Sequence, residues 1–192
     1  GQVGDNSSTT ETTAPTAIAI GSIWNKISLG TNHSCGIKNG GTLWCWGDNT
    51  HSKLGDNTTT PSLIPMQIGT ASWLEISLGD QFSCGIQNDK TLLCWGSNTS
   101  NQLGHNPTDT SVDITQPSQV GSDVDWSSIS SGTAHSCATK TGGTLWCWGS
   151  SAFGQAAQTA ITNTKAPIQE PSNSSWLKIA ADGDHSCGIR DD

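Results

Sequence analysis

The sequence predicts an all-β chain built from repeated four-stranded units, the pattern of β-propeller blades. Two observations carry this. Four segments align on Trp24, Trp73, Trp126 and Trp176, with spacings of 49, 53 and 50 residues, and Cys35, Cys84, Cys137 and Cys187 repeat those spacings. Within each period, short runs rich in Ile, Leu and Trp are bounded by Gly, Asn, Asp and Pro, and no amphipathic helix of useful length appears. Four short strands recurring every fifty or so residues are the signature of a blade.

The elements follow in order. Each period opens on a segment such as Trp-Asn-Lys-Ile-Ser-Leu-Gly-Thr-Asn-His-Ser-Cys-Gly-Ile from Trp24, matched by Trp-Leu-Glu-Ile-Ser-Leu-Gly-Asp-Gln-Phe-Ser-Cys-Gly-Ile from Trp73. The first three periods continue into Leu43-Trp44-Cys45-Trp46-Gly47, Leu92-Leu93-Cys94-Trp95-Gly96 and Leu145-Trp146-Cys147-Trp148-Gly149. For the first period we read strands at 24–29, 33–38, 42–47 and 63–68. The second and third form a hairpin through Asn39-Gly40-Gly41, where glycine supplies the positive φ of a tight turn. Pro65 cannot donate to a ladder and places the fourth strand at an edge. The chain then divides into the end of a preceding repeat (1–23), repeats at 24–72, 73–125 and 126–175, and the first half of a further repeat (176–192). Gly4-Asp5-Asn6-Ser7 matches Gly55-Asp56-Asn57-Thr58, so about three whole blades are flanked by two partial ones, and a partial or open propeller is expected.

Composition fits a folded body. Only 32% of the 192 residues are hydrophobic and 12% are charged, but nine Trp offset the shortage of aliphatics. A net charge of −8 argues against a nucleic-acid partner, whose phosphates require basic surface. No apolar run is long enough to insert in a membrane. No signal-peptide pattern opens the chain at Gly1, so the expectation is a mature or internal portion of a longer protein.

Cys35 and Cys45, Cys84 and Cys94, and Cys137 and Cys147 are each ten apart. Hairpins centred on Gly40, Asp89 and Gly142 place each pair directly opposite, where Cβ atoms approach to roughly 4.5–5.5 Å. Disulfides within the hairpins are the reading carried forward, with reduced buried thiols as the alternative. A metal site would need Cys-x-x-Cys spacing or convergent His, and neither is present. Cys187 is the odd cysteine, unpaired or intermolecular. Disulfides imply an oxidising compartment, hence an extracellular or cell-surface location.

The pattern Trp-x-x-Ile-x-x-Gly-x-x-His-Ser-Cys-Gly-Ile … Leu-Trp-Cys-Trp-Gly … Leu-Gly-Asp resembles the RCC1 (regulator of chromosome condensation) repeat, and most closely its cysteine-containing version in bacterial surface and secreted proteins. The resemblance spans essentially the whole chain. Kelch repeats fit less well, because Gly40-Gly41 and Gly142-Gly143 have no counterpart at Asp89-Lys90 and Tyr is absent. WD40 repeats are shorter and end on Trp-Asp, which does not occur. The resemblance implies blades of a propeller that typically has seven. It offers three functional classes: an exchange factor for a small GTPase, secreted inhibitors of enzymes, and surface proteins.

Chemistry is sparse. His33, His135 and His185 share a repeat position occupied by Phe82 in the second repeat, which argues for packing. His51 and His105 lie in loops with no matching Cys, Asp or Glu and are expected to be solvated. There is no Gly-x-Ser-x-Gly elbow and no phosphate-binding loop, so no catalytic, cofactor-binding or metal residue is assigned and the chain is read as a non-enzyme. Asn-x-Ser/Thr sites at Asn6, Asn32, Asn57, Asn98 and Asn173 carry no weight in so Ser- and Thr-rich a chain.

The long loops 48–60, 97–116 and 150–166 start at one structural point and should emerge on one face. Part of each resembles the family's Gly-Gln-Leu-Gly tuck, at Leu54-Gly55, Leu103-Gly104 and Gly154-Gln155-Ala156-Ala157. The candidate binding residues are Asp48, Asn49, His51, Asn98, Asn101, His105, Phe153 and Gln155. The expected function is an extracellular interaction module presenting these loops to a protein or glycan. A structural subunit that self-associates through its partial terminal blades is the alternative, and a guanine-nucleotide exchange factor the third reading.

Overall fold

A computed structural model of the chain describes residues 1–7, 14–18, 21–105, 112–157, 163–172 and 174–191. Blade 1 comprises β1 (Trp24–Leu29), β2 (His33–Lys38), β3 (Thr42–Gly47) and the first part of β4 (Ser62–Leu78). Blade 2 takes the second part of β4, then β5 (Phe82–Gln87), β6 (Leu92–Gly96) and β7 (Ile114–Gln119). Blade 3 holds β8 (Trp126–Ser131), β9 (His135–Lys140), β10 (Leu145–Gly149) and β11 (Thr164–Gln169). Blade 4 is the hairpin β12 (Trp176–Asp182) and β13 (His185–Arg190). All pairings are antiparallel between consecutive strands, and the described sheets do not close on one another. No described helix is long and apolar enough to cross a membrane.

The expected hairpin of blade 1 is present, with Gly40 and Gly41 at φ 101° and 86°. One boundary differs from the expectation of a fourth strand at 63–68. The strand runs on to Leu78, because Ser72 pairs with Thr42 and the Trp73 amide donates to the Gly41 carbonyl, holding the connection extended. β4 therefore crosses the repeat boundary at Trp73 and joins blades 1 and 2 in one seven-stranded sheet. Pro65 and Pro117 sit in the outermost strand segment of their blades, where no further ladder needs an N–H.

The core lies between blades, face to face. Cys35, Ile37, Leu43, Cys45 and Ile68 of blade 1 pack on Trp73, Ile76 and Leu78 of blade 2. Cys84, Ile86, Leu92, Cys94 and Val120 repeat this against Trp126 and Ala138 of blade 3. Each first-strand Trp thus fills the same slot, with Trp73 and Trp126 buried and Trp24 and Trp176 half-buried at the outer blades. Cys35–Cys45, Cys84–Cys94 and Cys137–Cys147 are disulfides, each pair in direct register with Cα atoms 4.1 Å apart. Cys187 is free and exposed.

Polar ladders reinforce the stacking. Ser28, Ser77 and Ser130 occupy one position of the innermost strands. Their hydroxyls accept from the amides of Leu78, Ser131 and Ala181 in the following blade, at 3.1, 2.9 and 2.7 Å. The first strands of consecutive blades are thereby hydrogen-bonded to each other without pairing in a ladder.

Candidate interaction surface

The loop after the third strand of each blade folds back under the next blade. The Lys53 carbonyl accepts from the indole of Trp95 (2.9 Å) and the hydroxyl of Ser83 (2.8 Å). The Gln102 carbonyl does the same for Trp148 (2.8 Å) and Ser136 (3.2 Å), and the Gln2 carbonyl for Trp46 (2.8 Å) and Ser34 (3.0 Å). Gly55, at φ +81°, lies so close to Trp95 that a Cβ there would stand 2.6 Å from the indole nitrogen. Glycine is therefore demanded by contact as well as by conformation.

The tuck explains where the sequence-derived candidates fall. Asn49 is fully buried, donating to Asp56 and to the Thr58 and Thr60 carbonyls while its own oxygen accepts from the Leu54 amide at 2.9 Å. Asn98 is buried and accepts from the Leu103 amide. Gln155 is buried, bridging the Phe153 amide and the Ser150 hydroxyl. These three hold the loops in shape and offer no surface to a partner. Asn101, at φ 62°, forms the turn whose carbonyl accepts from Gly104.

Two expectations are corrected. His51 is partly exposed but tethered, with Nδ1 2.7 Å from Asp113 Oδ2 in the neighbouring loop. His105 is half-buried, its Nε2 2.8 Å from the Ser118 carbonyl. The reason is that the first loop lies along the start of β7, where Asn57 also exchanges hydrogen bonds with Thr115. Loops 48–60 and 97–116 are thus clasped together, although 106–111 and 158–162 lie outside the described residues, as does Asn173.

Asp48 carries an ion pair that the sequence did not suggest. Lys53, with no exposed side-chain surface, places Nζ 2.6 Å from Asp48 Oδ2 and 2.7 Å from Gln81 Oε1. Burial pushes the Asp48 carboxyl up, but hydrogen bonds from Lys53 and Thr50 outweigh it and hold the group below the usual carboxylate range. The only signal for this in the sequence is that Lys53 replaces the Gln found at positions 2, 102 and 155.

Among the candidates Phe153 is the exposed one, at 77%, on a backbone fixed by Gln155. Val112 on the second loop is also exposed. At the axis, a cavity of about 240 Å³ is lined by Thr31, Asp80, Thr133 and Asp182 from the turns after the innermost strands. Among the described residues, no group of three or more His, Cys, Asp or Glu could hold a metal ion.

The histidines at the shared repeat position link blades. His33 Nε2 lies 3.0 Å from the Ser83 hydroxyl, and His135 Nε2 lies 2.8 Å from that of Ser186. Burial, then the charge of Lys53, lowers the His33 pKa to about 3, and burial lowers that of His135 to about 4. Both are neutral structural groups at physiological pH.

Comparison with known proteins agrees with this architecture. Profiles of the regulator of chromosome condensation (RCC1) repeat match residues 24–52, 73–102 and 126–155, and a second profile of that repeat matches 40–86 and 89–139. No curated protein sequence matches the chain. Among solved structures, Prp20p from Saccharomyces cerevisiae superposes with a TM-score of 0.77 at 17% identity, over 86% of this chain and 43% of its own. Human WBSCR16 gives 0.60 at 14% identity, over 100% and 65%. The ectodomain of the receptor kinase CR4 from Physcomitrella patens gives 0.56 at 24% identity, over 91% and 39%. The chain spans less than two thirds of each of these structures, and the likeness is one of fold.

Proposed function

The chain belongs to the RCC1 repeat family, and from that premise we propose that it is a non-catalytic extracellular interaction module that presents blade loops to a protein partner. The observation that carries this is Phe153, a large aromatic held 77% exposed by a buried polar bracket. Exposed aromatics on rigid supports are favourable anchors, because little conformational entropy is lost when they are covered. Val112, exposed on the neighbouring loop, supports the same face. Three buried disulfides favour an oxidising, extracellular setting over the nucleus, and the net charge of −8 favours a partner other than nucleic acid. One similar structure is the ectodomain of a receptor kinase, and another is Prp20p, which has binding properties to Gsp1p and histones; three disulfides favour the first kind of setting.

The test must spare the tuck. Replacing 106–112 by a Gly-Ser linker and Phe153 by Ser, with 97–105 intact, should abolish capture of the partner from the native compartment while the melting temperature stays unchanged. Undiminished capture moves the site off this face.

A second reading, a structural unit in a surface assembly, has its own observation. Ile27 and Leu29 of blade 1 are 60% and 68% exposed, whereas Ile76 and Leu78 at the same positions in blade 2 are buried by blade 1. Leu177 and Ile189 are exposed on blade 4. Sedimentation of the intact protein separates the readings: open polymers favour the assembly, a discrete species the module.

A further inference from the structure

Among the described residues, the outer strand of blade 4, β13, has no further strand beside it, whereas its counterparts β2, β5 and β9 are flanked on both sides. In blade 1 the third strand meets β2 in a fixed register. Leu43, Trp44, Cys45, Trp46 and Gly47 lie opposite Ile37, Gly36, Cys35, Ser34 and His33. β13 repeats the receiving side as Ile189, Gly188, Cys187, Ser186 and His185. The cysteine pair of blade 1, with Cα atoms 4.1 Å apart, occupies a close, non-hydrogen-bonded position, so Ser34 and Gly36 turn their amides and carbonyls towards the third strand. Ser186 and Gly188 present the same groups at an exposed edge.

Three observations specify what fits beside this edge. The carbonyls of Gln2, Lys53 and Gln102 each accept from a serine hydroxyl and a third-strand indole. Among the described residues, that of Gln155 accepts from the Ser186 hydroxyl alone, at 3.0 Å. Next, Trp95 and Trp148 fill the first two junctions, with ring centroids 5.8 and 6.3 Å from Trp73 and Trp126. The corresponding place beside Trp176 is a cavity of about 190 Å³, bordered by Cys137, Cys147, Trp176, Ile179, Ser186 and Cys187. Finally, Cys187 is free and exposed, whereas Cys35, Cys84 and Cys137 at the same position are bonded across the strand pair. The residue before the incoming cysteine is set by Arg190, 5.9 Å from Trp176. Its counterparts Lys38 and Lys140 cover Trp44 and Trp146 as well as the first-strand Trp, which favours an aromatic there.

We propose that β13 docks an extended segment of a partner protein with the pattern Leu-Trp-Cys-Trp-Gly, antiparallel, its second indole donating to the Gln155 carbonyl and its cysteine bonded to Cys187. A second copy of this chain has no such strand to give, because β3, β6 and β10 are internal strands of their own blades with their cysteines bonded. Ladder hydrogen bonds supply affinity, and the indole in the cavity supplies specificity. The covalent step is an exchange. The Cys187 thiolate attacks a partner cysteine held as a mixed disulfide with a low-molecular-weight thiol. The Cys187–partner S–S bond forms, the original S–S bond breaks, and the small thiol leaves as a thiolate that takes a proton from water. The inference goes beyond the loop surface, since it uses a strand edge and one backbone carbonyl.

The experiment incubates the intact protein with the blocked peptide acetyl-Thr-Leu-Trp-Cys-Trp-Gly-amide, its cysteine carried as a mixed disulfide with glutathione, in a glutathione redox buffer. Peptide mapping without reduction should place the peptide on Cys187. The equilibrium adduct should exceed that of an order-scrambled peptide about tenfold, and replacing the second Trp by Ala, or methylating its backbone nitrogen, should each remove most of that preference. Hydrogen exchange should slow at the Ser186 and Gly188 amides in the adduct. Cys187→Ser, a change at an exposed site, should carry no peptide. No adduct, equal uptake of the scrambled peptide, or an adduct with those two amides unprotected overturns the proposal. So does peptide retained by Cys187→Ser, which would mean attack on a hairpin disulfide, or a Cys187-linked dimer that outcompetes the peptide, which would make a second copy the occupant.

Discussion

Where blade 1 meets blade 2, His33 reaches Ser83, and Lys53 is buried against Asp48 and Gln81. Where blade 2 meets blade 3, Phe82 fills the histidine's place, and Gln102 stands where Lys53 does, accepting from the Ser100 amide. Other features are unchanged between the two junctions: the buried Trp, the disulfide against it, the serine ladder, and the loop carbonyl shared by an indole and a hydroxyl. The shared parts either satisfy backbone groups or fill the largest volume. The exchanged parts are side chains that fill a buried site by different means. The His33 imidazole bonds Ser83 through Nε2 and leaves Nδ1 buried without a partner among the described residues, whereas the Phe82 ring fills the same place with no polar atom to satisfy.

The largest test of this comparison is truncation of the tryptophans. Trp73→Ala and Trp126→Ala should each cost about 3–5 kcal/mol, seen as a steep fall in melting temperature, because both are buried between two blades. Trp24→Ala, with its ring half-buried, should cost visibly less. Equal losses at all three would mean that the junctions do not carry the core.

Disulfide removal should be more modest and nearly uniform. Each bridge closes the same ten-residue separation, so replacing either Cys35 and Cys45 or Cys84 and Cys94 by Ala should cost about 2–3 kcal/mol. Peptide mapping without reduction should recover all three pairs, with Cys187 as the free thiol. Markedly unequal costs for the two pairs would break the equivalence of the junctions.

The smallest effect sharpens the contrast between His33 and Phe82. A histidine whose folded pKa is lowered to about 3 takes up protons more readily when unfolded, where its pKa is near 6.5. Its contribution is fully present above pH 6.5 and is lost as pH falls towards about 3. His33→Phe should therefore flatten the loss of stability over that window, with His135 supplying the remainder. Thermal melts across the window would measure it, and an unchanged slope would locate the acid sensitivity elsewhere.

The hairpins were legible in the sequence because register follows from counting outward from the turn, and ten-residue Cys spacing leaves one symmetrical solution. The extension of β4 was not, since it depends on Ser72 meeting Thr42, a pairing that no local pattern announces. The candidate binding residues show a different limit. Asn49, Asn98 and Gln155 are polar and lie in loops, as solvated residues do, yet each is buried as a bracket. Recurrence was the available signal: Asn49 and Asn98 follow Gly47 and Gly96 at the same distance, and Gln155 matches Gln102 and Gln2. A polar residue that returns at a fixed place in every repeat serves the repeat. Phe153 has no counterpart of its kind and is the exposed one. The pairing of His51 with Asp113 joins residues 62 positions apart and leaves no local trace.

Because the carbonyl of Lys53 caps Trp95 and Ser83, and that of Gln102 caps Trp148 and Ser136, the tuck written in one repeat is read by the next. The modular unit is accordingly out of phase with the sequence period. A graft cut at Trp73 and Trp126 would carry the strands of blade 2 but leave behind the segment around Lys53 that seats them, and would import a Gln102 segment fitted to a stranger. A graft cut just after Gly47 and just after Gly96 would move each receptor together with its key. Duplication, deletion or domain shuffling in such arrays should leave viable descendants when the breakpoints follow that offset frame.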